Sequence, residues 1–560
     1  MSYPMHEKKD RLINAARGLV NADAVFLNAE LFNPFSCEWE QGNFAVTDGV
    51  VVGIGEYRGL AEHEMHGARI IPGLIDAHVH IESSLLTPGE YARLVSLRGT
   101  TTVIADPHEI ANVAGMEGIE FMLRESHDLP IDIFYMLPSC VPATPRDKGG
   151  AVLSARDLRH FIGRNGVLGI GEVMNVPGVL AHDHQLLEKI TLSEIVDGHA
   201  PLLSGADLNA YVLAGMQSDH ECTGIGEAQE KLRRGMYIFL RQGSVERNIH
   251  DLAGIVNTCT APRCCFATDD CHADMLATSG HIDNCIRIAI ESGIEPELAL
   301  RMATLSAAER FRLSDRGALA PGRLADFCVL SNTKDFAVKT TYKRGVAIEN
   351  TPPQSPSWNP RPFRCTTPSR DAIQLHGRGK ARVIGIVPHQ IITELLIFSV
   401  DGQGGVPDIE HDILKVVVCN RYRDRPCGIG LVHGFGLVRG AIAASISHDA
   451  HNIIAAGTSD DEIVRAIDTV IRTRGAMVVV DGVEETVLPL ECAGLMSLLP
   501  HEEVVSRQES LKAAFSRLGA IADPFMYLSF LALTVIPSMR ITDRGVFDVG
   551  QFKDVPLFVK

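Results

Sequence analysis

The chain lacks several features that would place it in other protein classes. It has no run of about 18 apolar residues, so the sequence predicts no membrane-spanning helix. Basic residues number 52 against 69 acidic ones, and the net charge of −17 argues against a nucleic-acid binder or a protein of anionic membrane surfaces. No two of the 13 cysteines form a Cys-X-X-Cys motif. No apolar segment of the signal-peptide type follows Met1 to Asp10. These absences predict a cytoplasmic protein without a disulfide framework.

The remaining composition is that of a globular protein of several domains. The chain has 560 residues, of which 46% are hydrophobic and 22% charged. Residues 1–22 show the apolar stripe of a short helix, and residues 24–54 show the period of two that is typical of short strands. Such a small β unit cannot bury a core alone, so later parts of the chain must complete it.

Strand-like apolar runs alternate with helix-like segments between residues 71 and about 330. We count eight such runs, at 71–78, 101–105, 131–137, 167–171, 195–197, 214–219, 236–241 and 264–268. Eight β-then-α units over about 250 residues match the size of a (β/α)₈ TIM barrel. A doubly wound open sheet is the main alternative, but no Gly-X-Gly-X-X-Gly follows the first strand as a dinucleotide site would need.

Strand-like segments on both sides of this region predict that the barrel is inserted in a small β-sandwich. A Pro-rich stretch and a region of mixed strand and helix patterns follow it. The predicted fold class is therefore α/β, with an added C-terminal α+β domain. The predicted boundaries are 1–70 for the N-terminal helix and first part of the sandwich, 71–316 for the barrel, 317–350 for the second part of the sandwich, 351–370 for the linker and 371–560 for the C-terminal domain.

Polar residues that suit metal binding stand at the ends of the predicted barrel strands. His78 and His80 end the first strand, where positions i and i+2 face the same side and both imidazoles aim at one point. Carboxyl ends of barrel strands meet at one mouth, which brings in further candidates from other strands. These are Glu172 after strand four, His199 after strand five, His220 after strand six and Asp269 after strand eight. Six such groups suit a two-metal site with Zn²⁺, Mn²⁺ or Fe²⁺.

The motifs around these residues resemble the amidohydrolase superfamily and, within it, the bacterial adenine deaminases. The matching segments are 72–84, 106–113, 171–175, 197–201, 218–221, 268–270 and 448–453. Glu172 is the most specific mark, because relatives such as dihydroorotases and hydantoinases place a carboxylated lysine there. No lysine occurs near the end of strand four in this chain.

The resemblance implies hydrolytic deamination of adenine to hypoxanthine and ammonia. It implies two divalent metal ions per subunit, with Mn²⁺ or Fe²⁺ favoured by the family and Zn²⁺ also compatible. Glu172 would bridge the ions, and a hydroxide held by them would attack C6 while Asp269 shuttles the proton. The expected partner is a small-molecule purine base, with no nucleic acid and no membrane, and a homo-oligomer (dimer or higher) is the general expectation.

Two other functions remain open from the sequence. The first is another purine deaminase or a cyclic amide hydrolase on the same barrel. The second is a catalytically inactive, amidohydrolase-like assembly module, although such a protein would be expected to have lost ligands and all six positions are kept.

Further polar residues lie near the strand ends beside the six candidate ligands. Asp106, His108, Asp270 and Glu221 are candidates for contacts with the substrate or with the metal ligands. Asp106 could instead cap the helix that starts after it. Asp269 is preferred to Asp270 as the strand-eight ligand because it directly follows the apolar run.

A separate cluster, His448, Asp449 and His451, occurs in the C-terminal region. It could hold a metal ion, form a polar loop or domain interface, or cover the barrel mouth of its own or a neighbouring subunit. The sequence leaves these three interpretations open.

Overall fold

The computed structural model describes residues 5–144, 146, 148–331, 336–353, 356–358, 363–377, 379–388, 392–400 and 407–559. Within these ranges, no helix is long and apolar enough to cross a membrane.

The chain begins with one helix and five strands. The helix α1 spans Met5–Ala16. The strands are β1 (Ala22–Asn33), β2 (Glu38–Thr47), β3 (Val50–Ile54), β4 (Gly59–Glu64) and β5 (Arg69–Pro72).

Eight strands then form a closed barrel. They are β6 (Leu74–Val79), β7 (Thr100–Ala105), β8 (Asp132–Leu137), β9 (Val167–Val173), β10 (Val196–Gly198), β11 (Ser218–Asp219), β12 (Tyr237–Arg241) and β13 (Cys264–Ala267). Strands β6 to β10 pair in order, as do β11 to β13. The Gln217 amide donates to the Val196 carbonyl at 3.1 Å and joins the two sets, and the Asp269 amide donates to the His78 carbonyl at 3.0 Å and closes the ring. The predicted barrel is therefore confirmed.

Helices follow most of the barrel strands. They are α2 (Pro88–Ser96), α3 (His108–Ala114), α4 (Met116–Glu125), α5 (Ala155–Arg159), α6 (Val176–Leu180), α7 (His184–Ile190), α8 (Gly205–Leu213), α9 (Ile225–Arg233), α10 (Ile249–Leu252), α11 (Ala273–Thr278), α12 (Ile282–Glu291), α13 (Pro296–Arg301) and α14 (Ala307–Arg310). The sixth predicted strand, 214–219, is wrong in length. Only Ser218–Asp219 is strand, because α8 runs to Leu213 and the residues after it form the turn into β11.

Strands from both flanks of the barrel join in one eight-stranded sheet. The later strands are β14 (Phe327–Leu330), β15 (Val338–Lys343) and β16 (Val346–Ala347). Strand β14 pairs antiparallel with β5, so that Phe327 is opposite Pro72. The barrel is thus inserted between two halves of one β unit.

An aromatic cluster forms the core of this flanking sheet. The Phe26 ring stacks on Phe44 with 4.8 Å between centroids and meets the edge of Phe327 at 5.0 Å. Phe327 in turn stacks on Tyr342 at 4.3 Å. The N-terminal and later strands therefore share one hydrophobic core.

The predicted Pro-rich linker, 351–370, contains no helix or strand in its described residues, while 354, 355 and 359–362 lie outside them. A second α/β region follows. Its strands are β17 (Gly379–Ile386), β18 (Thr393–Val400), β19 (Ile413–Cys419), β20 (Gly428–His433), β21 (Ala441–Ala444), β22 (Ile453–Gly457), β23 (Ala476–Asp481), β24 (Glu484–Pro489), β25 (Met539–Thr542), β26 (Gly545–Asp548) and β27 (Lys553–Asp554). Its helices are α15 (Asp460–Arg472), α16 (His501–Arg517) and α17 (Pro524–Phe530).

The C-terminal region packs against the barrel through its helix α16. Strands β17 to β24 form one sheet, and α15 buries Ile463, Ile467 and Val470 in a shared core with it. The His501 amide, at the start of α16, donates to the Glu90 carboxylate on α2 at 2.8 Å. This contact holds the C-terminal region beside the barrel mouth.

Candidate metal centre

Side chains from the first and last barrel strands meet at the mouth. His78 and His80 lie at the end of β6, and their Nε2 atoms are 3.3 Å apart. The His80 Nε2 atom lies 3.2 Å from Glu172 Oε1 and 3.1 Å from Asp269 Oδ1. All four side chains are buried.

Histidines from strands five and six approach the other face of the same carboxylate. The His199 Nδ1 atom lies 2.7 Å from Glu172 Oε2. The His220 Nε2 atom lies 3.3 Å from that oxygen and 3.9 Å from Asp269 Oδ2. Each Glu172 oxygen therefore faces a different set of imidazoles. The structure brings all six predicted residues together, with Glu172 between the two sets.

The donor groups fit a divalent cation. The His80 Nδ1–H donates to the Asp106 carbonyl at 3.0 Å, which leaves the Nε2 lone pair pointing at His78 and the carboxylates. The Nε2 atoms of His78 and His80 then share one small space with carboxylate oxygens of Glu172 and Asp269. A divalent metal satisfies such a set, and imidazole with carboxylate is a donor combination that first-row metals accept.

The electrostatics of the cluster keep its carboxylates ionised. Burial raises the pKa of Glu172, but the neighbouring imidazoles, His199 first, outweigh it and hold that pKa well below its usual value. Burial likewise raises the pKa of Asp269, and Arg241 outweighs it together with His80 and His220. Burial, with His220 and His80 nearby, lowers the pKa of His78 well below its usual value. For His80, His199 and His220 the neighbouring carboxylates outweigh burial and raise the imidazole pKa.

Buried polar groups beneath the cluster orient its members. Asp76 accepts hydrogen bonds from the His78 and Thr268 amides, both at 3.2 Å, and so ties β6 to the segment after β13. The Tyr211 hydroxyl accepts from the His199 amide at 2.9 Å and donates to the Val173 carbonyl at 2.7 Å. These contacts hold the backbone of the candidate ligands His78 and His199 and of Thr268, which precedes Asp269.

Asp106 and His108 lie directly beside Glu172. Asp106 Oδ2 accepts the Glu172 amide at 2.9 Å, so its predicted alternative role as a helix cap is wrong: α3 starts at His108, after Pro107. The other Asp106 oxygen and His108 Nδ1 are buried without a hydrogen-bond partner. They lie 3.7 Å apart, and His108 Nδ1 is 3.6 Å from Glu172 Oε1.

The other two candidates, Glu221 and Asp270, also lie at the mouth. Glu221 Oε1 is 3.4 Å from His220 Nε2 and 3.8 Å from His199 Nδ1. Asp270 accepts a hydrogen bond from the Ser83 hydroxyl at 2.5 Å. Asp269 Oδ1 lies 3.1 Å from His80 Nε2, and Asp270 is close enough to form a further possible donor group with these two residues.

Arg241 is a residue of the site that the sequence reasoning missed. It ends β12, and its guanidinium is hydrogen-bonded to the carboxylates of Asp269, Glu221 and Glu246. Its position at the end of strand seven was the available signal. A search restricted to metal-ligand residue types passes over an arginine.

The C-terminal cluster reaches the mouth of its own barrel. His448 Nδ1 lies 2.6 Å from Glu109 Oε1, and His451 Nε2 is hydrogen-bonded to Glu109 Oε2. All three side chains are buried. The cluster is therefore an interface between the barrel and the C-terminal region of one chain.

Comparisons with known proteins find two matching family models and relatives that align with nearly the whole chain. The amidohydrolase family model matches residues 69–348, and the model for the adenine deaminase C-terminal domain matches residues 390–553. An adenine deaminase of Methanoregula boonei is 61% identical over 99% of this chain and 99% of its own length. An adenine deaminase of Methanoculleus marisnigri is 62% identical over 92% of this chain and 99% of its own, and adenine deaminase 2 of Carboxydothermus hydrogenoformans is 44% identical over 98% and 99%.

Proposed function

The chain belongs to the adenine deaminases of the amidohydrolase family, and from this membership we propose how its buried cluster performs the reaction. The reaction is the hydrolytic deamination of adenine to hypoxanthine and ammonia. The observation that carries the proposal is the convergence of four imidazoles and the Asp269 carboxylate around Glu172. A cyclic amide hydrolase and an inactive module are not favoured, because relatives that match nearly the full chain are adenine deaminases.

The cluster is suited to hold two divalent metal ions. His78, His80 and Asp269 form one set of donors and His199 with His220 the other, and Glu172 offers one oxygen to each set. Mn²⁺ or Fe²⁺ suits this mixture of imidazole and carboxylate, and Zn²⁺ is the alternative. When bound, such ions lower the pKa of water and so supply a nucleophile at neutral pH.

Asp269 is the proposed proton carrier. Its carboxylate sits at the end of the last barrel strand, within 3.1 Å of His80, and Arg241 holds it in the ionised form. An ionised carboxylate at this position can accept the proton of the attacking water. It then delivers that proton to the amine that leaves C6.

The approach of the purine is proposed on the side of strands three and four. A cavity of about 550 Å³ lies between the barrel and the C-terminal region, lined in part by Cys140, Asn175 and Tyr422. This volume falls in the usual range for small-molecule sites. At its edge, Ser139 donates a hydrogen bond to the Glu172 carbonyl at 2.7 Å. We assign the unpaired atoms of Asp106 and His108 to the substrate side of the cluster, because buried polar atoms without partners mark the place of a ligand or water.

The enzyme is further proposed to act in the cytoplasm as a homo-oligomer, on a free purine base. Its thirteen cysteines are all free thiols, which suits a reducing compartment. Its net charge of −17 disfavours nucleic acid as a partner. Light scattering during gel filtration would give the number of subunits.

The test is an adenine assay together with metal analysis of the same sample. Protein loaded with Mn²⁺ should release one ammonia per hypoxanthine formed and contain about two metal ions per chain. Asp269→Asn should lower kcat at least about 100-fold. His250→Ala, which changes an exposed histidine on α10, is the matched control and should behave as wild type. No ammonia from adenine would refute the assignment, and a fully active Asp269→Asn would refute the role of Asp269.

A further inference from the structure

Both oxygens of the Glu109 carboxylate are bound by histidines from the C-terminal region. His448 Nδ1 lies 2.6 Å from one oxygen, and His451 Nε2 is hydrogen-bonded to the other. Glu109 belongs to the first turn of α3, at the barrel mouth. A buried carboxylate with both oxygens engaged has one orientation only.

Each of these histidines is itself fixed. His451 Nδ1 accepts the Ser447 amide at 3.4 Å, so its proton is on Nε2 and is donated to Glu109. The backbone of His451 is left-handed, with φ of 48°, a conformation that a non-glycine residue keeps only where its surroundings impose it. The His448 ring stacks on Phe530 of α17, with 5.3 Å between centroids.

The contacts in this cluster are hydrogen bonds. The 2.6 Å between His448 Nδ1 and Glu109 Oε1 is the length of a charge-assisted hydrogen bond, and His451 Nε2 is hydrogen-bonded to the other oxygen.

Glu109 connects this cluster to the metal centre through the residue beside it. Glu109 Oε1 lies 3.5 Å from His108 Nε2. The other His108 nitrogen faces Glu172 Oε1 at 3.6 Å, and the ring meets the His80 ring edge-to-face at 4.5 Å. The Glu109 carboxylate therefore lies against the Nε2 side of the His108 ring, opposite the side that faces Glu172.

We propose that His448 and His451 are positioning residues of the deaminase: they hold Glu109 and, through it, keep His108 turned toward the metal centre. The C-terminal region is then a working part of the active site of its own chain. The kinetic part of this inference rests on the proposed function, whereas its structural part does not.

Isosteric substitutions separate positioning from packing. His448→Asn keeps a donor where Nδ1 stands, and His451→Gln keeps one where Nε2 stands, whereas His448→Ala and His451→Ala remove them. We expect kcat to fall about 10- to 100-fold in each alanine variant and to stay within about threefold of wild type in each amide variant. The Mn²⁺ content should be unchanged in all four. An amide variant as impaired as its alanine partner would overturn the proposal.

A double-variant cycle tests whether the effect passes through His108. In a His108→Ala background, adding His448→Ala should change kcat less than about twofold, because the group it positions is already gone. If the two losses multiply instead, His448 acts by another route and the proposal is wrong.

Amide hydrogen exchange decides the structural part without any activity measurement. Exchange across α3 (His108–Ala114) should be faster in His448→Ala than in wild type and should return toward wild type in His448→Asn. Equal exchange in all three proteins would overturn the inference. If the three proteins differ in exchange as expected but the wild-type protein releases no ammonia from adenine, the proposed function alone is refuted.

Discussion

Arg241 donates a hydrogen bond to the carboxylate of Asp269, where the last two barrel strands end. The same guanidinium binds Glu221 and Glu246, so one buried cation serves three carboxylates. The arrangement keeps Asp269 ionised and fixes the direction in which its free lone pairs point. Arg241 therefore orients Asp269, the proposed proton carrier, without belonging to the candidate metal-donor groups itself.

Arg241→Met should damage both activity and stability. Buried Asp269 and the half-buried Glu221 and Glu246 lose their common partner, and breaking a buried ion pair from one side costs about 3–5 kcal/mol. Arg241→Lys keeps the charge but not the planar fork and should lose less. Urea unfolding and kcat for adenine measure the two effects. Arg312→Met, which removes one side of an exposed ion pair with Glu194, is the control and should change either quantity little.

Glu172→Gln should lower the metal content of the protein. The amide keeps the size of the side chain but loses the charge that both sets of imidazoles face. We expect fewer than two Mn²⁺ per chain after dialysis and a kcat at least about 100-fold below wild type. Elemental analysis and the adenine assay on one sample give both values. Full metal content with unchanged kcat would show that the charge of Glu172 is not needed to hold metal ions.

Asp132→Asn should destabilise the protein in a way that depends on pH. Asp132 Oδ2 lies 2.7 Å from both Lys343 and Arg316. Burial raises the pKa of Asp132, but these two cations outweigh it and lower the pKa below its usual value. A carboxyl group of this kind stabilises the fold above its unfolded pKa of about 3.9, and the contribution is lost as pH falls through the lower folded pKa.

The expected loss in Asp132→Asn is about 1–3 kcal/mol at pH 7. It should be the same at pH 5 and should shrink below about pH 4. Urea unfolding at several pH values measures it, with the exposed Asp10→Asn as control. A difference that grows on acidification would contradict the assignment.

Phe26→Ala should destabilise the flanking sheet, because the ring joins strands that precede the barrel to a strand that follows it. The ring contacts Phe44 from its own flank and Phe327 from the other. Removing a buried phenylalanine costs about 3–5 kcal/mol. Chemical unfolding would measure the loss, and the metal content should stay at the wild-type value because the cluster lies on other strands. The exposed Phe35→Ala should cost far less.

The sequence predicted the barrel strands and all six residues that meet at the mouth. The carboxyl ends of barrel strands lie together, so residues recognised one strand at a time are expected at the same place. The sequence could not decide the role of Asp106. The local Asp-Pro pattern suits a helix cap, but the carboxylate binds the Glu172 amide, 66 residues away. The contact between Glu109 and His451 spans 342 residues and has no local signal. The search for metal-ligand residue types did not find Arg241, because a cationic side chain does not bind a metal ion.

The pairing of Arg69–Pro72 with Phe327–Leu330 affects how the protein folds while it is being synthesised. These strands are separated by about 250 residues, the whole barrel. At a synthesis rate of about 5–20 residues per second, the first sheet waits roughly 10–50 s on the ribosome for its missing strands. During that interval Phe26 and Phe44 have no Phe327 to cover them, so the growing chain carries an unfinished apolar surface until the barrel has emerged.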